Sequence, residues 1–192
     1  MNPLGVRWPI PVFAGLPNCD MEKITGEKIY LRRLSSEDAT EKYCGWINDP
    51  EVNRYLETKK IDILCLKDYI NEKNFRSDCL LLGIFSKRGD CHIGNVKFEP
   101  IDFKRKETTM GLLIGDKEYW NQGIGTEAAT LVVNYAFDAL GLEKISLGVV
   151  LENKAAVRTY EKVGFKFEKN KPSGQGYAMM AIKKRNEPIK KN

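Results

Sequence analysis

The stretch that decides the fold is Tyr119-Trp120-Asn121-Gln122-Gly123-Ile124-Gly125-Thr126-Glu127-Ala128. Two glycines, one residue apart, stand between a β-like run and a long amphipathic segment. Glycine lets the backbone turn and lets a ligand approach the amides with no Cβ in the way. The helix that follows aims its first free N–H groups and the positive end of its dipole at the same point. The stretch therefore predicts a strand, a turn that cradles an anion, and a helix starting at about Ile124. The plainer reading, a strand-to-helix turn without a ligand, uses the same two glycines.

Downstream, Ala128, Leu131, Val132, Tyr135, Ala136 and Ala139 fall on one face of a helix over 124–140, and Gly141 stops it. A strand follows at 144–151. Asn153 caps a helix over 154–163, which Gly164 ends. Strands at 165–168 and 177–184 close the chain across a Pro-Ser-Gly-Gln-Gly turn at 172–176. Upstream, strands at 79–86, 92–101 and 108–114 are separated by short turns and read as an antiparallel meander. A strand at 28–34 precedes Ser35, which has Asp38 three residues on and caps a helix running to about Trp46. Asn48-Asp49-Pro50 breaks that helix. A helical turn at 51–56 and a helix from Leu64 to about Phe75 follow. The order β-α-α-β-β-β-α-β-α-β-β predicts an α+β (mixed α/β) layer fold.

At 192 residues the chain is one domain with extensions. Residues 1–21 read as an irregular arm broken by four prolines, 22–184 as the domain, and 185–192 as a basic tail. The net charge is +5, and residues 183–192 carry most of it, with five basic side chains against Glu187. A solvated tail explains that charge better than nucleic-acid binding, because no aromatic-interleaved basic stripe accompanies it. No apolar run approaches a membrane span. Five cysteines, an odd number with no C-x-x-C pair, fit a reducing cytoplasm. His92 beside Cys91 makes a poor metal pair, since neighbours on a strand face opposite ways. His92 reads as an ordinary polar strand residue, and no metal is expected.

Two motifs resemble the GNAT superfamily of acyl-CoA-dependent N-acetyltransferases. The 119–128 stretch is similar to that family's pyrophosphate loop, R/Q-x-x-G-x-G/A. Residues 144–165, K-I-S-L-G-V-V-L-E-N-K-A-A-V-R-T-Y-E-K-V-G-F, resemble its strand–Asn–helix–Tyr–Gly-Phe block. The resemblance covers about residues 22–184. It implies a central, mostly antiparallel sheet of about seven strands flanked by helices, with a V-shaped splay between the fourth and fifth. It also implies acetyl-CoA as acetyl donor to a primary amine attacking directly in a ternary complex. Trp120 departs from the motif's Arg/Gln and is typical of the ribosomal-protein and small-amine branches.

The same resemblance assigns roles. Gln122, Gly123, Ile124, Gly125 and Thr126 would bind pyrophosphate through backbone amides. Asn153, otherwise a plain N-cap, would hydrogen-bond the pantetheine arm. Backbone N–H groups near Leu113 and Ile114 would sit at the thioester carbonyl and stabilise its oxyanion. The Tyr160 hydroxyl would meet the departing thiolate, its alternative being a core aromatic. At the position where related branches carry a basic Glu stands Thr109. Glu107, on the same strand face, is the candidate base, with Glu99 or a water chain as alternatives. Residues 46–52 are similar to an acceptor-side segment, and Ile93–Lys97 to branches among amino-sugar acetyltransferases. The acceptor expected is a small molecule such as an amino-sugar nucleotide. A protein N-terminus, a non-catalytic acyl-CoA sensor, and a homodimer all stay open.

Overall fold

A computed structural model describes residues 23–168 and 176–185. The arm at 1–21, the turn at 172–175 and all of the tail after Arg185 lie outside the described residues. Eight strands form one sheet in the order β1-β2-β3-β4-β5-β6-β8-β7. They are β1 (Ile24–Thr25), β2 (Ile29–Arg33), β3 (Leu80–Ser86), β4 (Cys91–Asp102), β5 (Glu107–Ile114), β6 (Lys144–Val150), β7 (Lys166–Phe167) and β8 (Tyr177–Lys183). The extra strand against the expected seven is β1, two residues paired antiparallel to β2. It is too short to leave a period in the sequence.

Every neighbouring pair is antiparallel except β5–β6, whose parallel pairing requires a crossover. That crossover is α3 (Ile124–Asp138). The β5–β6 pairing covers only Glu107↔Lys144, Thr108↔Ile145 and Thr109↔Ser146. Beyond Thr109, β5 stays paired to β4 as far as Gly94↔Ile114, and β6 stays paired to β8 as far as Val150↔Tyr177. The two half-sheets thus part after three residues and leave the V that the resemblance implies.

Strand alternation sorts the apolar side chains onto two faces. On one, Leu31, Leu82, Ile84, Val96, Phe98 and Met110 pack with α3 and with Tyr160 of α4 (Lys154–Val163) in the larger core. On the other, Tyr30, Leu81 and Phe85 pack with α1 (Glu41–Asn48) and α2 (Ile63–Phe75), and Leu113 and Trp120 lie against this cluster. The sheet therefore carries helices on both sides, and the V opens between them.

The expected helix from Ser35 to Trp46 is two pieces. Asp38 accepts from the Ser35 amide at 2.7 Å and from both terminal nitrogens of Arg32 at 2.6 and 2.8 Å. The first piece ends there as a 3-10 turn, Ser36–Asp38. Thr40 then caps α1 by accepting from the Tyr43 amide at 3.2 Å. The Arg32 ion pair comes from a neighbouring strand and leaves no mark in the helical pattern.

Candidate active site

The loop between β5 and α3 is built as its glycines demand. Gly123 sits at φ +80°, and Asn121 precedes it at φ +59°. Gly123 accepts the first intrahelical bond, from Glu127 at 3.0 Å. The amides of Ile124, Gly125 and Thr126 therefore stand ahead of the helical ladder and point out of its end. Gly125 has no positive φ, and a Cβ on it would meet Thr159, Ile114 and Leu112 only at 3.7–3.9 Å. Neither backbone conformation nor packing requires glycine at 125. Gly125 leaves the space before the 124–126 amides open, and a helix start with free amides and open space before it suits an anion.

Trp120, where the motif has a cation, donates its indole N–H to the Ile114 carbonyl at 2.8 Å. It ties the loop to the end of the splayed strand. An ammonium comes from elsewhere: Lys28 Nζ donates to the Gln122 carbonyl at 3.1 Å. Nothing in the sequence marks Lys28, which is 94 residues away. Gln122 turns its side-chain amide to the Glu118 carbonyl, leaving only its backbone toward the loop.

Across the V, Asn153 caps α4 by accepting from the Ala156 amide at 3.1 Å. Its Oδ1 is thereby engaged and its amide nitrogen makes no hydrogen bond to a described residue. Tyr160 lies on the same helix, its ring packed edge-on to Phe165 at 5.8 Å. Burial pushes its phenol up to about 12, so it stays a proton donor at neutral pH. The packing reading and the acid reading thus describe one side chain, a buried ring with a hydroxyl free of described protein partners.

The candidate bases fare differently. Glu107 opens β5 in register with Lys144, at the closed base of the V, with Arg105 at 3.8 Å. It shares a face with Thr109 and Gly111 by strand alternation. Glu99 is held by Lys73 at 2.8 Å, Lys97 at 2.6 Å and Arg76. Burial alone would raise its carboxyl, but the Lys73 and Lys97 ammoniums outweigh that and hold it below the usual range. A carboxylate stabilised by three cations is a poor proton acceptor, which removes Glu99 as an alternative.

His92 is not an ordinary polar strand residue. Its ring lies in an aromatic box, stacked on Phe85 at 4.9 Å with Trp46 at 5.1 Å and Tyr43 at 5.3 Å. Its Nε2 meets the Gly94 carbonyl at 2.9 Å and Asn95 Oδ1 at 3.0 Å. Both partners accept, so Nε2 carries the proton. Burial lowers its pKa, partly offset by Asn95 and Asp38. Among the described residues, no three His, Cys, Asp or Glu side chains gather to hold a metal ion.

A half-parted mixed sheet, with glycine-freed amides at its mouth and a tyrosine-bearing helix across from them, defines an acyl-CoA-dependent acetyltransferase. Residues 28–166 match the acetyltransferase (GNAT) domain family, and the chain belongs to it. It is 28% identical over 152 residues to the uncharacterized N-acetyltransferase p20 of Bacillus licheniformis, covering 77% of this chain and 84% of that one. It is 35% identical over 75 residues to the spermidine N(1)-acetyltransferase of Escherichia coli K12, covering 39% of this chain and 40% of that one. Its fold superposes on spermidine N-acetyltransferase from Vibrio cholerae, solved with CoA and spermine, with a TM-score of 0.71 and 22% identity over 81% of this chain and 95% of that one. The protein is an enzyme with acetyl-CoA as its cosubstrate.

Proposed function

We propose that this enzyme acetylates the primary amine of a small molecule by direct attack on the acetyl-CoA thioester in a ternary complex. The observation that carries the reading is the start of α3, where Gly123 at φ +80° leaves the 124–126 amides free and Gly125 leaves the space before them open. In this reading the amides from Gln122 to Thr126 and the α3 dipole hold the pyrophosphate, and Asn153 holds the pantetheine arm. Backbone N–H groups at Leu113 and Ile114 receive the carbonyl oxygen as it gains charge. Glu107, the candidate base, stands six residues before Leu113 on an extended strand, about 20 Å from the thioester's place and beyond the reach of a single water, so the ammonium proton leaves through a water chain and the neutral amine attacks. The C–N bond forms as the C–S bond breaks, Tyr160 donates its proton to the departing thiolate, and the proton that the acylated nitrogen gives up restores the phenol. No cysteine stands in either motif, which favours direct transfer over an acyl-enzyme.

For the acceptor, a polyamine is the leading candidate, supported by two relatives named for spermidine. An amino-sugar nucleotide is the competing small amine, suggested by the Ile93–Lys97 resemblance. We place the enzyme in the cytoplasm, as a single domain over 22–184 followed by a basic tail at 185–192 whose charge a solvated segment explains. Thiol release from acetyl-CoA across polyamines, amino-sugar nucleotides, amino acids and N-terminal peptides tests the acceptor. Release with a small amine and not with peptides supports the proposal. Release only with peptides overturns it in favour of protein acetylation. Tight CoA binding with no release from any amine supports a non-catalytic sensor.

A further inference from the structure

The short segment between β5 and the glycine loop is tied to the opposite wall of the site. After Ile114 the chain makes a 3-10 turn, Lys117–Tyr119, and runs straight into Trp120–Gly125. Lys117 Nζ reaches across to Asp49 at 2.8 Å and Glu51 at 2.9 Å, both in the turn that follows α1. One residue earlier, Asp116 receives Lys42 of α1 at 2.6 Å. Gly115 lies flat under Trp46 of α1, where a Cβ would fall 2.2 Å from the indole. Three contacts in a row thus join α1 and its exit turn to the segment that carries the glycine loop.

The location gives these contacts a role. One face of β5 is filled by α3, through Met110, Leu112 and Ile114. An amine must therefore reach the V from the face of Thr109, Gly111 and Leu113, beneath α1 and its exit turn. Asn48 fixes the far end of that turn region, accepting from the Ile61 amide at 2.8 Å and donating to its carbonyl at 2.9 Å. Residues 49–61 are consequently a closed loop with pinned ends, and Lys117 is its ionic link to the coenzyme side.

We propose that Lys117 is a positioning residue, which holds the 49–56 wall in place for the acceptor when the glycine loop is filled. It touches neither substrate and acts through Asp49 and Glu51. The proposal rests on the amine-transfer reading above for its kinetic arm only. Its ammonium, raised by its bonds to Asp49 and Glu51, keeps its charge at the pH of any assay.

The test compares wild type, Lys117→Met and Lys117→Arg in two measurements. Hydrogen exchange is followed with and without CoA. In wild type and Lys117→Arg, CoA slows exchange in both 120–128 and 49–56. In Lys117→Met it slows 120–128 alone. Steady-state kinetics with the best amine from the panel should show KM for that amine up by about three- to tenfold in Lys117→Met, with CoA affinity unchanged and Lys117→Arg near wild type. Asp49→Asn/Glu51→Gln should reproduce the effect without adding to it in the triple variant. Exchange at 49–56 that ignores CoA in wild type, or responds equally in Lys117→Met, overturns the proposal. So does an amine KM that stays level or falls; a fall would mean that the ammonium competes with the acceptor. If no amine is acetylated, the transfer reading fails and the exchange arm still decides the role of Lys117.

Discussion

Gly125 and Tyr160 are the residues whose environment separates function from stability. A methyl at 125 has room, with its nearest neighbours at 3.7–3.9 Å, and alanine suits a helix better than glycine by roughly 0.5–1 kcal/mol. Gly125→Ala should therefore leave the melting temperature unchanged or slightly raised. The pyrophosphate motif admits alanine at this position, so Gly125→Ala should also keep acetyl-CoA affinity within a few-fold, whereas the γ-methyls of Gly125→Val should crowd the proposed pyrophosphate position and lower affinity by about tenfold or more. Calorimetric titration beside a thermal melt reads both variants; intact affinity in Gly125→Val would remove the phosphate from this place. Tyr160→Phe keeps the buried ring and loses a hydroxyl with no described partner. Folding should be untouched and CoA affinity nearly so, while kcat drops by about 10- to 100-fold. Because burial pushes the phenol up to about 12, the wild-type rate should not decline through Tyr160 ionisation below about pH 10. An alkaline limb that disappears in Tyr160→Phe would contradict that ordering.

At the scale of elements, α1 and β4 meet around His92. Its folded pKa lies below the unfolded value of about 6.5. The folded state thus resists a proton that the unfolded chain accepts, so the stabilisation is present above about pH 6.5 and is lost as pH falls. Urea midpoints of wild type should drop between about pH 7.5 and pH 5.5, and those of His92→Gln should drop less. Equal slopes would remove His92 as the source. This box also shows what the sequence could not disclose. The α4 helix was legible to the residue, because Asn153 and Gly164 cap it from within its own segment. The meander was legible because each strand is followed by its own turn. The box around His92 leaves no mark along its strand because Tyr43, Trp46 and Phe85 come from two other elements. The occupation of Glu99 is hidden for the same reason, its cations arriving partly from α2 and the residue after it. The break in the first helix is hidden because Arg32, which locks Asp38, belongs to β2. Of the site, the glycine loop and both caps are local and could be read. Lys28, Lys117 and the bond from Trp120 to Ile114 exist only once the sheet is assembled.

For the whole molecule, the parting of β5 from β6 is the feature with the widest consequence. Two half-sheets, β1 to β5 and β6 with β8 and β7, share three paired residues. Past Thr109, each presents an inner edge with no strand partner across the V, and unpaired edges invite an added strand. The pantetheine arm, extended and amide-bearing, suits that gap. A ligand that binds only the folded state at about 100 times its Kd adds about 2.7 kcal/mol, worth roughly 5–10 °C in a domain of this size. Acetyl-CoA should raise the melting temperature by that amount, and a tenfold loss of affinity in Gly125→Val should forfeit about half of the rise at the same concentration. A nucleotide fragment lacking the pantetheine arm, supplied at the same multiple of its own Kd, should give a similar rise, because linkage counts occupancy alone. Hydrogen exchange separates the two ligands where melting cannot. Acetyl-CoA should slow amides in both 110–114 and 147–150, because the arm bridges the two edges. The fragment should slow 120–128, at the helix start, and with it the 49–56 wall, and leave both edges unprotected. Equal protection of both edges by the fragment would mean that the half-sheets close on phosphate binding alone, and the arm would then be a passenger in the V rather than its missing strand.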